Sequence, residues 1–397
     1  MTEKNFDIYI EFGSSKIIAS AFNKKDKKNF SISKKCSSYL RSGKINLNNS
    51  KTILEKLIFE IEKKIQEYLN NINLMIDSPE ALSVNLSLSK KNDGKKIKKS
   101  DIQYLIQAAK QQIVKFYPDK SIIHIIVNNY KVDDNNFDYA PIDIKCDFLA
   151  IDLIFICYPK DLIKSLESLF NENQINVTQI LCSSYAKSFN YKENYINFFD
   201  KIIFLDIGYE KTSIILFHKD KLKSFYTIPI GGNHITKDIS KILKYSIEES
   251  EEIKNNLNID ILFSDKGKNS KILPPEFLKK YNHEELSPDL LKKIILARID
   301  EILNLSLETV RFTDNNNDNK FKIVLMGRGS KILNNDLVPI KEIIPIFDEI
   351  DFFSETNIAV CESGLKLNHG LNKHEVVIIP KQNKKIGFFA KLFHFFE

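Results

Sequence analysis

One β-rich pattern occurs twice in this chain, and the repeat constrains the fold more than any other feature. DIYIEFGSSKIIASAFNKKDKKNFSIS near the start and KIIFLDIGYEKTSIILFHKDKLKSFYTI near the middle each read strand, acidic residue, Gly turn, strand, basic turn, strand. In both copies the carboxylate, Glu11 or Asp206, stands twelve residues before the residue that opens the basic turn, Asn23 or His218. Runs of β-branched and aromatic residues argue strands, and Gly or Asn/Lys/Asp clusters argue hairpin turns. Two such meanders imply an α/β chain of two similar lobes. With 397 residues, 43% of them hydrophobic, there is material for two separate cores.

Between and after the meanders the pattern changes. Leu54, Leu57, Ile58, Ile61, Ile65, Tyr68 and Leu69 recur at helical spacing, so a long helix is expected over one face of the first sheet. From about Ala81 to Glu172 come a strand (Leu82 to Leu88), a lysine-rich turn, a helix from Asp101, strands around Ile122 to Val127 and Phe148 to Cys157, and a helix from Lys160. That reads as a compact βαββα-like insertion. The second meander leads to a helix over Ile235 to Lys244, another around Glu248 to Asn256, and a loop-rich region with Pro274 and Pro275. A long helix then runs to about Phe312, capped by Ser287 and opened by Pro288. The polar tract TDNNNDNK precedes the strand FKIVLMG, which ends in Gly327, Arg328, Gly329 and Ser330.

Composition removes several function classes. The net charge is +6, but the lysines are scattered among 52 acidic residues, so no nucleic-acid partner is expected. Cys36, Cys146, Cys157, Cys182 and Cys361 form no CxxC or Cys/His cluster of zinc spacing, and no directly ligated metal is expected. The N-terminus MTEKNFDIYIEF lacks the basic and apolar regions of a signal peptide. No apolar run approaches the ~20 residues of a spanning helix. The expected compartment is the cytoplasm.

A strand that ends in a carboxylate and turns through glycine brings backbone N–H groups and an acid to one point. Such a turn can clamp phosphate oxygens while the acid orients a metal or a water. A single Gly hairpin carries little weight. Two at equal spacing, with a third Gly-rich turn at Gly327, argue for a nucleotide site closed by domain motion.

These residues resemble the superfamily of actin, heat-shock chaperone ATPases and sugar kinases, and within it the FtsA family of bacterial cell-division proteins, through nearly the whole chain. Glu11, Gly13, Ser14, Ser15 and Lys16 look like the family's first phosphate motif, and Asp206 with Gly208 like the start of the second. The stretch Ile228, Pro229, Gly232, Asn233, Thr236 and Asp238 is a much more specific match than either turn, and the resemblance places Gly231 with Gly232 and Asn233 among the nucleotide-binding residues. Glu251, Ile253 and Lys254 resemble the helix whose Glu and Lys border the nucleoside in that family. Gly327, Arg328, Gly329 and Ser330 lie in its adenosine motif, with Arg328 where the family carries Gly, and Ser363 with Gly364 match its small pair.

The resemblance implies an actin-like, ribonuclease H-like duplicated fold with a relocated small α+β insertion subdomain. The expected division is 1–80 with 173–199 (first lobe), 81–172 (insertion), 200–236 with 299–370 (second lobe), 237–298 (a further subdomain), 371–384 (linker) and 385–397 (terminal helix). It implies ATP, with Mg held through the nucleotide near Asp206, and Glu11 and Asp206 as candidate catalytic acids. It further implies self-association into protofilaments, and binding of the C-terminal peptide of the tubulin-like protein FtsZ through about Lys237 to Arg298. Other divisome proteins would be partners at the division site, on the cytoplasmic face of the inner membrane.

The second phosphate motif departs from its family. Tyr209, Glu210 and Lys211 stand where Gly-Gly-Thr is usual. A Glu210 carboxylate aimed at phosphate would cost ~4 kcal/mol for unit charges ~4 Å apart at an effective dielectric of ~20. Lys211 offsets this if the turn aims Lys inward and Glu outward. The expectation is a binder with slow or absent hydrolysis, or a pseudo-ATPase whose cleft is only structural.

The terminal segment KKIGFFAKLFHFFE follows a polar linker. Ile386, Phe388, Phe389, Leu392, Phe393, Phe395 and Phe396 fill one half of a helical wheel, and Lys391 lies on the other with Lys384 and Lys385 flanking. Such a helix is expected to lie in an anionic membrane surface, and it resembles the family's membrane-targeting sequence. Competing readings are a small-molecule kinase of the same fold, for which no general base stands out, and an FtsA-like pilus-assembly adaptor.

Overall fold

Two five-stranded sheets share one strand order. In the first, the meander β1 (Phe6–Phe12), β2 (Lys16–Asn23) and β3 (Phe30–Lys35) is extended in parallel by β4 (Asn71–Ile76) and β9 (Asn176–Cys182), giving β3-β2-β1-β4-β9. In the second, β10 (Lys201–Ile207), β11 (Thr212–His218) and β12 (Lys221–Ile228) are extended by β13 (Phe321–Met326) and β14 (Glu349–Phe352), giving β12-β11-β10-β13-β14. The repeat expected from sequence is therefore a repeat of topology. These statements come from a computed structural model, which describes residues 5–26, 28–36, 47–257, 287–311, 321–333, 349–371 and 375–376.

Strand alternation decides which way each acid points. Along β10, Ile203, Leu205 and Ile207 join the core with α5 (Gly232–Leu243) and α7 (Pro288–Arg311), while Ile202 and Phe204 join the core of the first lobe. Side chains two apart share a face, so Asp206 faces the first lobe with Ile202 and Phe204.

Parallel neighbours need a crossover. α1 (Leu47–Ile65) and α3 (Lys160–Glu172) supply the two of the first sheet. α1 ends earlier than its apolar spacing implied, because Gln66 turns to φ 57°, leaving Tyr68 exposed and Leu69 buried beyond the helix. The expectation places α3 in the insertion, and α3 does pack on the insertion strands Lys120–Val132 and Lys145–Pro159. It also packs on β9 and joins the first-lobe core through Leu162, Ile163, Leu166, Leu169 and Phe170, with the Phe170 ring edge-on to Phe12 at 6.3 Å.

The insertion is β5 (Leu82–Lys96), α2 (Lys99–Phe116), β6 (Lys120–Val132), β7 (Asn135–Phe137) and β8 (Lys145–Pro159), ordered β6-β8-β5 with β7 on β6. The expected lysine-rich turn is strand instead. β5 pairs with β8 as far as Lys96, with a bulge between Lys91 and Lys95 at which Asp93 and Gly94 take positive φ. Lysines suit this edge, since they discourage a further strand from adding there. The opposite edge, β6, is covered by β15 (Glu375–Val376), so part of the expected linker is a strand.

In the second lobe α6 (Ile247–Asn256) follows α5, and α7 starts as expected, the Leu290 N–H donating to Ser287 Oγ at 3.3 Å. Leu291, Ile294 and Ile295 share one core with Ile302 and Leu303, so α7 is a single body across the expected boundary at 298. α8 (Asn357–Lys366), expected in the second lobe, contributes Val360 and Cys361 to the first-lobe core. Gly364 is the reason it fits: a Cβ there would lie 2.7 Å from Met75 Sδ and 3.0 Å from Tyr9 Cδ1. α4 (Ser183–Tyr191) packs against α8 between the two sheets.

Among the described residues no helix is long and apolar enough to cross a membrane. The expected terminal helix at 385–397 and residues 258–286 of the expected further subdomain lie outside the described residues.

Candidate functional site

The C-terminal ends of β1, β4, β10, β13 and β14 converge on a cleft of about 200 Å³ between the lobes. Such strand ends are where α/β sheets place ligands. Glu11 and Asp206 stand next to last in β1 and β10, Asp77 directly follows β4, and Glu355 lies three residues beyond β14. All four carboxylates line the cleft, with Gly13, Ser14, Ser15, Lys16, Gly208, Lys211, Gly327, Arg328 and Ser330.

The two glycine turns have the same build. The Gly13 N–H donates to the Lys16 carbonyl at 3.0 Å, and the Gly208 N–H to the Lys211 carbonyl at 2.8 Å. Each therefore carries a lysine five residues after its acid, a correspondence that aligning the turns on their basic residues exposes.

The two lysines part ways. Lys211 is buried, bonds Ser213 Oγ and lies 3.4 Å from Asp77 Oδ2. Asp77 also accepts from the Ser184 N–H at 3.1 Å and its hydroxyl at 2.8 Å. Burial alone would raise the Asp77 pKa, but Lys211, Lys187 and the Ser184 donors outweigh it and hold the carboxyl below its ordinary range. Lys16 lies at the mouth and bonds Asn357 Oδ1. Burial and the neighbouring Arg328 pull its pKa down to about 8.

Lys187 occupies the inner end. Its Nζ lies 2.8 Å from Asp206 Oδ2 and 3.1 Å from Glu355 Oε1. Burial disfavours the ammonium, yet Asp206, Glu355 and Asp77 together keep it protonated well above the usual lysine range. Glu11 lies in the same field with no direct ion pair among the described residues. Burial pushes its carboxyl up to about 7 against the pull of Lys187 and Lys16.

The altered turn resolves its own charge problem. Lys211 points inward, and the Glu210 carboxylate turns to α5, accepting from Asn233 Nδ2 at 2.9 Å with Lys237 at 3.9 Å. At Gly327 φ is +84°, and a Cβ would fall 2.3 Å from Asp206 Oδ1, so the strand β13 can pass this acid only as glycine.

Other expected site residues brace the turn instead of lining the cleft. Gly232 and Asn233 donate their N–H groups to the Gly208 and Tyr209 carbonyls at 2.9 and 2.7 Å. Lys254 Nζ donates to the Gly232 carbonyl, Thr236 Oγ1 and Glu251 Oε2 at 3.0, 2.7 and 2.6 Å, and sits 5.7 Å from the centre of the Tyr209 ring. Gly231 and Gly329 press on this same turn: a Cβ at either would lie 2.7 Å from the Gly208 carbonyl oxygen.

Asp77, Lys187 and Glu355 were not picked out by motif. Asp77 had a signal, a third strand ending in an acid (NINLMID). Lys187 had a weaker one, a lone lysine in SSYAKSF, a helix buried almost all round.

The residues fit a polyphosphate better than they fit a bound magnesium. Mg²⁺ takes a near-octahedral oxygen shell at 2.0–2.1 Å, but Asp206 Oδ2 and Glu355 Oε1 already face the Lys187 ammonium, Asp77 faces Lys211, and burial raises the Glu11 carboxyl to about 7, which favours its protonated form. Unit charges ~4 Å apart repel by ~4 kcal/mol at an effective dielectric of ~20, and a dication doubles this.

A model of the family described as "Cell division protein FtsA" matches residues 203–337, and a model of the "SHS2 domain inserted in FTSA" matches residues 80–157. The chain belongs to the FtsA family. The insertion model stops within β8, before α3 begins. The Cell division protein FtsA of Agrobacterium fabrum is 23% identical over 244 residues, 60% of this chain and 54% of that protein. The match thus spans about half the length of that FtsA relative. Among solved structures, the PilM-PilN type IV pilus biogenesis complex superposes with a TM-score of 0.58 at 11% identity, covering 88% of each chain. MreB 5 of Spiroplasma citri bound to AMPPNP superposes with a TM-score of 0.52 at 12% identity, covering 92% of this chain and 97% of that one. These likenesses fix the FtsA chain's fold as the two-lobed actin-like ATPase fold.

Proposed function

We propose that this chain is a cell-division scaffold that binds a nucleotide in its interlobe cleft, assembles with copies of itself and holds FtsZ filaments at the cytoplasmic face of the membrane. The observation that carries the reading is the pair of equivalent turns, Gly13–Lys16 and Gly208–Lys211, meeting across one charged cleft in a chain of the FtsA family. A bound ATP would supply the polyphosphate. Lys16, Arg328 and Lys331 line the place where those phosphates would lie, and the turn at Ser14 and Ser15 adds backbone donors. Hydrolysis is slow or absent in this reading, because the Lys187 ammonium on Asp206 Oδ2 competes for the carboxylate with which that acid would orient a water.

The membrane step belongs to the terminal phenylalanines and flanking lysines. One apolar helix face binds reversibly, and an assembly presenting many binds far more firmly through effective concentration. The test is sedimentation of FtsZ with anionic vesicles. FtsZ should pellet only when this chain is present, and should stay in the supernatant when residues 385–397 are removed. Pelleting that persists without those residues would overturn the tether.

A second reading, a pilus-assembly adaptor, has the superposition on the PilM-PilN complex in its favour. Binding of an FtsZ C-terminal peptide separates the two, since only the division scaffold should bind it.

A further inference from the structure

The two ends of the cleft carry different charge balances. At the inner end two ammonium groups, Lys187 and Lys211, face three carboxylates, Asp206, Glu355 and Asp77, and each ammonium is within 3.4 Å of at least one of them. At the mouth Lys16, Arg328 and Lys331 line the wall. Among the described residues the Arg328 and Lys331 side chains have no ion-pair partner. Arg328 and Lys331 both act to lower the Lys16 pKa, which is the signature of cations crowded together. At the inner end both ammonium groups are thus engaged by acids, with one carboxylate to spare, while the cations at the mouth have no ion pair among the described residues and are left for an anion.

Lys187 reaches its place because of the fold's duplication. α4 follows the last strand of the first sheet and packs between the sheets, and Asp206 faces it by strand alternation. Glu355 comes from the segment after the last strand of the second sheet. The ammonium therefore bridges the lobes at the point where their acids converge, on a tether of four methylenes and at hydrogen-bond distance from two carboxylates.

We propose that Lys187 is the resident cation of this cleft, standing where a divalent metal would otherwise bridge the lobes, so that the cleft takes a nucleotide's polyphosphate free of metal on Lys16, Arg328 and Lys331. The second half rests on the nucleotide reading above, and the first half does not.

The experiment has two arms on the full chain. In the first, ATP affinity is measured by calorimetry in excess MgCl₂ and in excess EDTA. Affinity in EDTA should equal or exceed that in Mg²⁺ to within about threefold. A drop of about tenfold or more in EDTA overturns the proposal while leaving the nucleotide reading intact. Absence of binding in both buffers overturns the nucleotide reading, and with it the polyphosphate half. In the second arm, melting temperature is followed against Mn²⁺ without nucleotide. The wild type should not respond, whereas Lys187→Ala, which vacates the bridge, should be raised by Mn²⁺. A rise in the wild type overturns the resident-cation claim, as does a folded variant that ignores Mn²⁺. Should Lys187→Ala fail to fold, Lys187→Ala combined with Glu355→Gln leaves fewer charges unpaired, and the wild-type titration still decides.

Discussion

The Lys187 ammonium, carried by a helix of the first lobe, lies 2.8 Å from the Asp206 carboxylate at the end of the second lobe's central strand. The two lobes are therefore joined at the base of their cleft by an ion pair with both side chains less than a tenth exposed. Removing one partner of such a pair leaves a buried charge uncompensated, which costs far more than the intact pair is worth.

Lys187→Met should thus lose about 3–5 kcal/mol of stability. Lowering the pH should return part of it, because the stranded Glu355 carboxyl, which burial already raises, can then take up a proton. Urea unfolding at neutral and mildly acidic pH checks both points. An unchanged midpoint at neutral pH would show that the pair is not the link described.

Glu11 gives a pH dependence of definite sign. Its folded pKa of about 7 exceeds the ordinary 4.5, so the folded state binds its proton more tightly than the unfolded chain does. Its contribution is fully present below about 4.5 and is lost as pH rises through about 7. The amplitude is roughly 3–4 kcal/mol, at ~1.4 kcal/mol per unit. Glu11→Gln should flatten this part of the stability profile between pH 5 and 8, measured as melting temperature against pH.

Glu210 should matter little to an anion in the cleft, because Asn233 and Lys237 hold its carboxylate toward α5. Glu210→Gln is expected to change ATP affinity by less than about threefold. A gain of several hundredfold would mean the carboxylate points at the phosphates after all.

Gly364→Val should destabilise the first lobe by about 1–3 kcal/mol through overpacking, since even a single Cβ would press on Met75 and Tyr9. Thermal unfolding of the purified variant measures it, and a melting temperature equal to wild type would refute the close packing of α8.

In the terminal segment, Phe389→Glu with Phe393→Glu places two charges on the apolar half of the wheel. The double variant should remain in the supernatant when anionic vesicles are pelleted. If it still pellets, the anchor lies elsewhere in the chain.

The meanders, their acids, the insertion and the start of α7 were legible because each is written locally, in two-residue alternation, turn chemistry or a cap. That α3 bridges the first sheet and the insertion, and that α8 packs in the first lobe, was not. Leu166 and Val360 show only that a helix has an apolar face, and which sheet that face meets depends on crossovers far away in sequence. The same limit hid Lys187, whose role comes from acids at positions 206 and 355. Glu251 and Lys254 stood out by resemblance, yet they bind Thr236 and Gly232 and shape the turn from behind.

The short pairing of Glu375–Val376 with Ile126 and Ile125 sets where the chain's end can go. A polypeptide advances at most about 3.5 Å per residue, so Lys384 is moored within roughly 30 Å of the insertion's edge. Whatever surface the phenylalanines beyond it engage, that tether keeps the insertion within reach of it.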